Sequence, residues 1–65
     1  MQYFDYESVA REAGIHDENL QRIAGLAMRE FPQDEMMAEL HILRTCLAVR
    51  DGRCTLEQAL SATAA

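Results

Sequence analysis

Apolar residues recur along almost the whole chain at intervals of three and four, and no stretch alternates with a period of two. That spacing keeps apolar side chains on one face of a helix with 3.6 residues per turn, so it predicts helices and no strands. End signals divide the pattern into four. Asp5 can cap a first helix, its carboxylate accepting from the free backbone N–H groups of the opening turn. Phe4 before it and Val9 after it have the spacing of a hydrophobic staple. Gly14 closes this helix, about 6–13, because glycine adopts the left-handed conformation cheaply and lets Ile15 fold back on Ala10 as in a Schellman motif. Tyr6, Val9, Ala10 and Ala13 would face inward.

The second helix, about 17–31, begins near His16 or Asp17, with Asp17 and Glu18 at the positive end of its dipole. Leu20, Ile23, Ala24, Ala27 and Phe31 share one face, with Met28 at its edge, while Glu18, Arg22, Gly25 and Arg29 share the opposite one. Pro32 ends it, lacking an N–H and disfavouring helix at the preceding residue. The third helix, about 34–50, follows a cap at Gln33 or Asp34 and stops at the Asp51-Gly52 turn signal. The fourth, about 56–63, opens on a capping box, Thr55-Leu56-Glu57-Gln58, and carries Leu56 and Leu60. The expected fold is all-α: a compact bundle of four short helices in one domain spanning 1–65, with the third helix central.

The third helix has more apolar surface than one neighbour can cover. Met36, Leu40, Leu43 and Leu47 stack into a stripe that reads as an ordinary core seam. Ala38, Ile42, Thr45, Cys46 and Val49 fill an adjacent sector, and only Glu39 and Arg50 interrupt the combined arc. A surface helix shows a single stripe of about 100° or a little more, so this one is buried from two sides. Either the other helices cover both sectors, or Ile42, Cys46 and Val49 stay partly open and meet a second copy or another protein. Small domains often complete their cores by association. The expected function is therefore a small non-enzymatic protein–protein interaction domain, a homodimer as first choice, that self-associates through the third helix. Its interface would centre on Ile42, Cys46 and Val49, with Ala38 permitting close approach and Glu39 and Arg50 as rim charges.

Composition sharpens this picture. With 65 residues, 49% of them hydrophobic, the chain is too apolar for disorder and too short for a second domain. Its basic residues are all arginine, as in a GC-rich bacterial genome, and six of them against eleven acids leave a net charge of −5. That balance argues against a general binder of nucleic acid or anionic membranes, whose affinity comes from excess Lys and Arg. No apolar run approaches the ~20 residues that cross a bilayer. Met1-Gln2-Tyr3-Phe4-Asp5 lacks the basic start and apolar core of a signal peptide, so the expected location is cytoplasmic. Cys46 and Cys54 are too few for a disulfide framework and read as free thiols.

Residues 9–23 carry a second signal. Ala10, Gly14, Ile15, Leu20 and Ile23 hold the small, glycine and aliphatic positions of a tight corner between two helices. The stretch resembles the helix-turn-helix of bacterial repressors, and the resemblance implies a DNA-binding transcriptional regulator as the alternative function. Such a motif would present His16, Asp17, Glu18, Gln21 and Arg22 to the major groove. Two carboxylates would then meet phosphates, with Arg11, Arg22 and Arg29 alone to offset them. A plain αα corner accounts for the same residues.

The chain has no glycine-rich phosphate loop, CxxC or nucleophile-elbow motif. His16, His41, Cys46 and Cys54 lack zinc-ligand spacing, and His41 and Cys46 sit about 140° apart around one helix. Cys54, beside Arg53 and ahead of the fourth helix, has the more activating surroundings of the two thiols. The reading contains no catalytic residue, cofactor, metal or small-molecule substrate. If the Ile42 sector is an interface, Ile42→Asp dissociates the oligomer and leaves a helical monomer by circular dichroism; outright unfolding marks that sector as core.

Overall fold

The computed structural model describes residues 2–61. It contains α1 (Tyr6–Glu12), α2 (Asp17–Glu30), α3 (Glu35–Arg50) and α4 (Leu56–Ser61). No strand occurs among the described residues. The expected extension of the last helix to residue 63 lies outside them.

Each helix end follows from a local sequence signal. The Asp5 carboxylate accepts from the Ser8 N–H at 3.3 Å and from the Ser8 hydroxyl at 2.7 Å. Those bonds hold its pKa below the ordinary 3.8. At the other end of α1, Gly14 has φ +76°, its N–H donates to Arg11 O, and the Ile15 N–H donates to Ala10 O. Those two bonds are the Schellman pair. The same pair ends α3, where Gly52 also has φ +76° and Gly52 and Arg53 donate to Val49 O and Ala48 O. Asp34 caps α3 through the Met37 N–H at 3.1 Å. Thr55 and Gln58 exchange side-chain bonds to each other's N–H at 2.9 and 3.0 Å, completing the capping box of α4.

α3 is the central element, with α1 and α2 packed along it and α4 resting on both α2 and α3. The core contains small residues from each of the three longer-range partners: Ala10 of α1, Ala27 of α2 and Ala38 of α3, with Ile15, Leu20, Ile23, Ile42 and Cys46 filling the space around them. Tyr6, Val9, Ala13, Ala24, Phe31, Leu56 and Leu60 pack against that cluster half-buried, on the faces that the periodicity predicts.

The faces of α3 are the exception. Ala38, Ile42 and Cys46 are 0% exposed, and Val49 packs against the core with them. This corrects the expectation that Ile42, Cys46 and Val49 are partly open in the monomer with Ala38 beside them. It also corrects the expected core seam: Leu40, Leu43 and Leu47 are half-buried outside the core cluster, and Met36 is 50% exposed. The physical reason is volume. Helices approach to about 8 Å only over small side chains, and larger ones hold them nearer 10 Å. Ala38 and Cys46 on α3 leave room for Ile42 to be sealed between the helices, and the leucine row falls outside that contact.

Glu39 is corrected too, from a partner-facing rim charge to an internal tie. Glu39 is only 4% exposed, and its Oε1 accepts from the backbone N–H groups of Tyr3 and, at 3.2 Å, of Phe4. A buried carboxylate is tolerable when it is hydrogen-bonded in this way. Burial raises the Tyr6 phenol above its ordinary pKa, and the Glu39 and Glu7 charges add to the effect. Arg50 is exposed and binds Glu12 at 3.0 Å and Asp51 at 3.1 Å, linking the end of α3 to the end of α1. Those partners raise its pKa, Asp51 most.

Ile42 is one of the two largest side chains sealed completely from solvent. Ile42→Ala is expected to cost about 2–5 kcal/mol in urea unfolding. Ile42→Asp is expected to unfold the chain instead of releasing a helical monomer, because it places a carboxylate with no partner in the core.

Candidate protein-interaction surface on α3

With Ile42 and its neighbours turned inward, the outer side of α3 presents Met36, Leu40, Leu43 and Leu47. Their spacing of four, three and four confines them to about 60° of the helix circumference. It is also the a and d spacing of a heptad, with Met36 and Leu43 at d and Leu40 and Leu47 at a. Heptad seams of this kind bury themselves against another helix, each side chain entering a hole between four residues of the neighbour. These four residues lie outside the core cluster, Met36 exposed and the three leucines half-buried.

The ends of the surface are well defined. Tyr3, held to α3 by its N–H bond to Glu39, is 44% exposed, and Met36 and Met37 are exposed nearby in sequence along α3. These three are among the four large exposed hydrophobic residues of the described chain, the other being Met28 on α2. Concentrated exposure of this kind marks contact sites more often than scattered single residues do. Methionine suits such a surface because its flexible thioether adapts to varied partners. On the far side of the stripe stands Arg44, exposed and without a hydrogen bond or ion pair among the described residues.

Beyond Arg44 a groove of about 790 Å³ opens between α2, α3 and α4, with Ile23, Leu26, Ala48 and Ala59 along it and His41 and Cys54 among its polar lining. The Phe31 and His41 rings meet at 5.9 Å across the α2–α3 seam. No hydrogen bond joins Cys54 to His41, so the groove shows no activated thiol pair. Cys46 is sealed in the core, His16 is exposed at the N-cap of α2, and His41 lies on α3, so the four candidate ligands His16, His41, Cys46 and Cys54 do not share a site. Among the described residues, no three His, Cys, Asp or Glu side chains are arranged to hold a metal ion. No described helix is long and apolar enough to cross a membrane.

The α1–α2 corner is formed as the sequence suggests, with Gly14 at the turn and Ile15 and Leu20 buried beneath it. Asp17, Glu18, Gln21 and Arg22 are exposed along the start of α2. The acidic pair therefore stands at the front of the surface that a helix-turn-helix would offer to DNA.

The stripe was legible as a pattern but read as core. Hydropathy does not separate it from the true core, because the sealed sector holds Ile42 and Val49 beside Ala38 and Cys46. The chain matches no protein-family model, no curated protein and no solved structure.

The two thiols should behave differently. Burial raises the Cys46 pKa above its ordinary 9.0, whereas Cys54 is only half-buried. A thiol reagent at neutral pH is expected to modify Cys54 first and Cys46 only as fast as the fold opens. Above about pH 9 the unfolded chain loses a proton that folded Cys46 retains, so stability falls as pH rises. Urea midpoints taken between about pH 7 and pH 10 check the sign; a midpoint that rises over this range contradicts it.

Proposed function

We propose that this chain is a non-enzymatic protein–protein interaction domain whose binding element is the outer stripe of α3. The observation that carries the reading is a two-heptad a/d seam, Met36, Leu40, Leu43 and Leu47, lying outside the protein's own core. An a/d seam is complementary to one kind of object, an amphipathic helix. The function remains protein interaction through the third helix, with the contact moved from Ala38, Ile42, Cys46 and Val49 to the adjacent leucine sector.

The stripe and its flank offer five apolar residues, with Met37 beside the seam. Standard stable interfaces use about 20–30 residues a side. Two heptads also fall short of the three or four that sustain a free-standing coiled coil. The binding this surface supports is accordingly weak and reversible, set by concentration. Regulation of DNA through the α1–α2 corner is the weaker alternative, since Asp17 and Glu18 oppose phosphate at its leading edge.

Leu43→Asp tests the reading. Because Leu43 lies outside the core cluster, the variant is expected to keep its far-UV helicity and its thermal midpoint within a few degrees while losing partner binding. A variant that unfolds shows that Leu43 belongs to the core, and the surface reading fails.

A further inference from the structure

We propose that the outer face of α2 is a second binding site, a seat for an acidic peptide segment clasped by Arg22 and Arg29 across Gly25. It lies apart from the α3 stripe and does not depend on it.

Gly25 is the first observation. It occupies the middle of α2, where glycine weakens a helix relative to alanine. Nothing in the described chain asks for it. Its φ is not positive, unlike those of Gly14 and Gly52, and a Cβ placed on it would meet no atom within 4 Å among the described residues. Neither a turn nor a neighbouring helix therefore needs the side chain to be missing. Glycine has a further use, which is to let a ligand or another chain approach the backbone closely. Gly25 is exposed and offers its backbone outward.

The arginines are the second observation. Arg11 bonds to Ser8, Arg50 to Glu12 and Asp51, and Arg53 stands 4.0 Å from Asp51. Arg22, Arg29 and Arg44 have no hydrogen bond or ion pair among the described residues, in a chain with eleven acids to offer. Arg44 shares its groove with Glu30. Arg22 and Arg29 line one shallow depression of about 420 Å³ with Gly25, Leu26 and Leu60, and no acid is among the described residues that line it. The dipole of α2 accounts for a cation at Arg29, in its last turn, but not at Arg22. Seven residues apart, the two arginines stand on one line of the helix about 10.5 Å from each other, with the notch at Gly25 between them.

Charge and shape select the occupant. Guanidiniums without partners fit carboxylates, which they hold by paired N–H···O bonds. Leu26 and Leu60, both half-buried, add an apolar strip for an aliphatic neighbour. The depression is too shallow to enclose a small molecule, most of whose surface a ligand pocket buries, whereas an extended segment can lie across it. A polyanion such as nucleic acid would meet the net charge of −5 of the whole chain. A short acidic segment meets chiefly the two arginines.

An amide-resolved NMR titration of the full chain with a short blocked peptide of alternating glutamate and leucine tests the site. The Gly25 amide and the Arg22 and Arg29 Nε–H signals are expected to shift saturably, and a peptide with glutamine in place of glutamate to bind several-fold more weakly. Arg22→Gln and Arg29→Gln are each expected to weaken the glutamate peptide several-fold, while Arg53→Gln, which changes the net charge equally, leaves its binding nearly unchanged. Gly25→Ala separates a seat from a mere weak point: its thermal midpoint is expected to rise, because alanine favours helix, while its binding falls several-fold. Equal binding of the two peptides overturns the site, as does an effect of Arg53→Gln as large as that of Arg22→Gln. A Gly25→Ala chain that binds as well as the parent overturns the close approach over the backbone. Tighter binding of a short single-stranded oligonucleotide at the same signals overturns the peptide as occupant.

Discussion

Close approach over small side chains is the constraint on which the rest of the structure depends. Ala10, Ala27 and Ala38 are at most 1% exposed, one from each of the three helices that meet along α3. In a chain of 65 residues the volume available for a core is small, and alanine contacts let three helices share it. Dispersion gains come from close contact between many atom pairs, so backbones drawn near one another partly compensate for short side chains. The larger core residues, Ile15, Leu20, Ile23 and Ile42, fill the angles where the helices diverge.

This constraint also explains the outer face of α3. Leucines at positions 40, 43 and 47 fall outside the alanine contacts and are left half-buried. α3 thus seals Ala38, Ile42 and Cys46 and leaves its leucine stripe half-buried. The arrangement is unusual for a domain that ends at its own surface, because most small folds turn their leucines inward. It is coherent for a domain whose packing continues into a neighbour.

The local signals of the sequence were sufficient for the helix ends. Asp5, Gly14, Asp34, Gly52 and the Thr55–Gln58 box act within a few residues of themselves, and each does in the structure what its chemistry suggests. The inner faces of α1, α2 and α4 were legible as well, because their polar residues leave one apolar side. On α3 apolar residues spread round the circumference, so hydropathy could not choose between two sectors. Glu39 was misread for a related reason. A carboxylate in an apolar sector looks like a rim charge unless the donors that will satisfy it are known, and these come from the chain some 35 positions earlier. The bond from Arg50 to Glu12 was equally hidden, since the two lie 38 positions apart.

The way Glu39 holds the start of the chain has its own consequence. It grips main-chain N–H groups and is indifferent to the side chains that follow them. Residues 3 and 4 can therefore diverge in sequence without loosening the grip, provided that neither becomes proline, which has no hydrogen to donate. The carboxylate itself has no such latitude: aspartate would be one methylene short, and an apolar residue would leave two amide groups to find water. The attachment of the leading segment is thus encoded almost wholly on the distant helix that receives it.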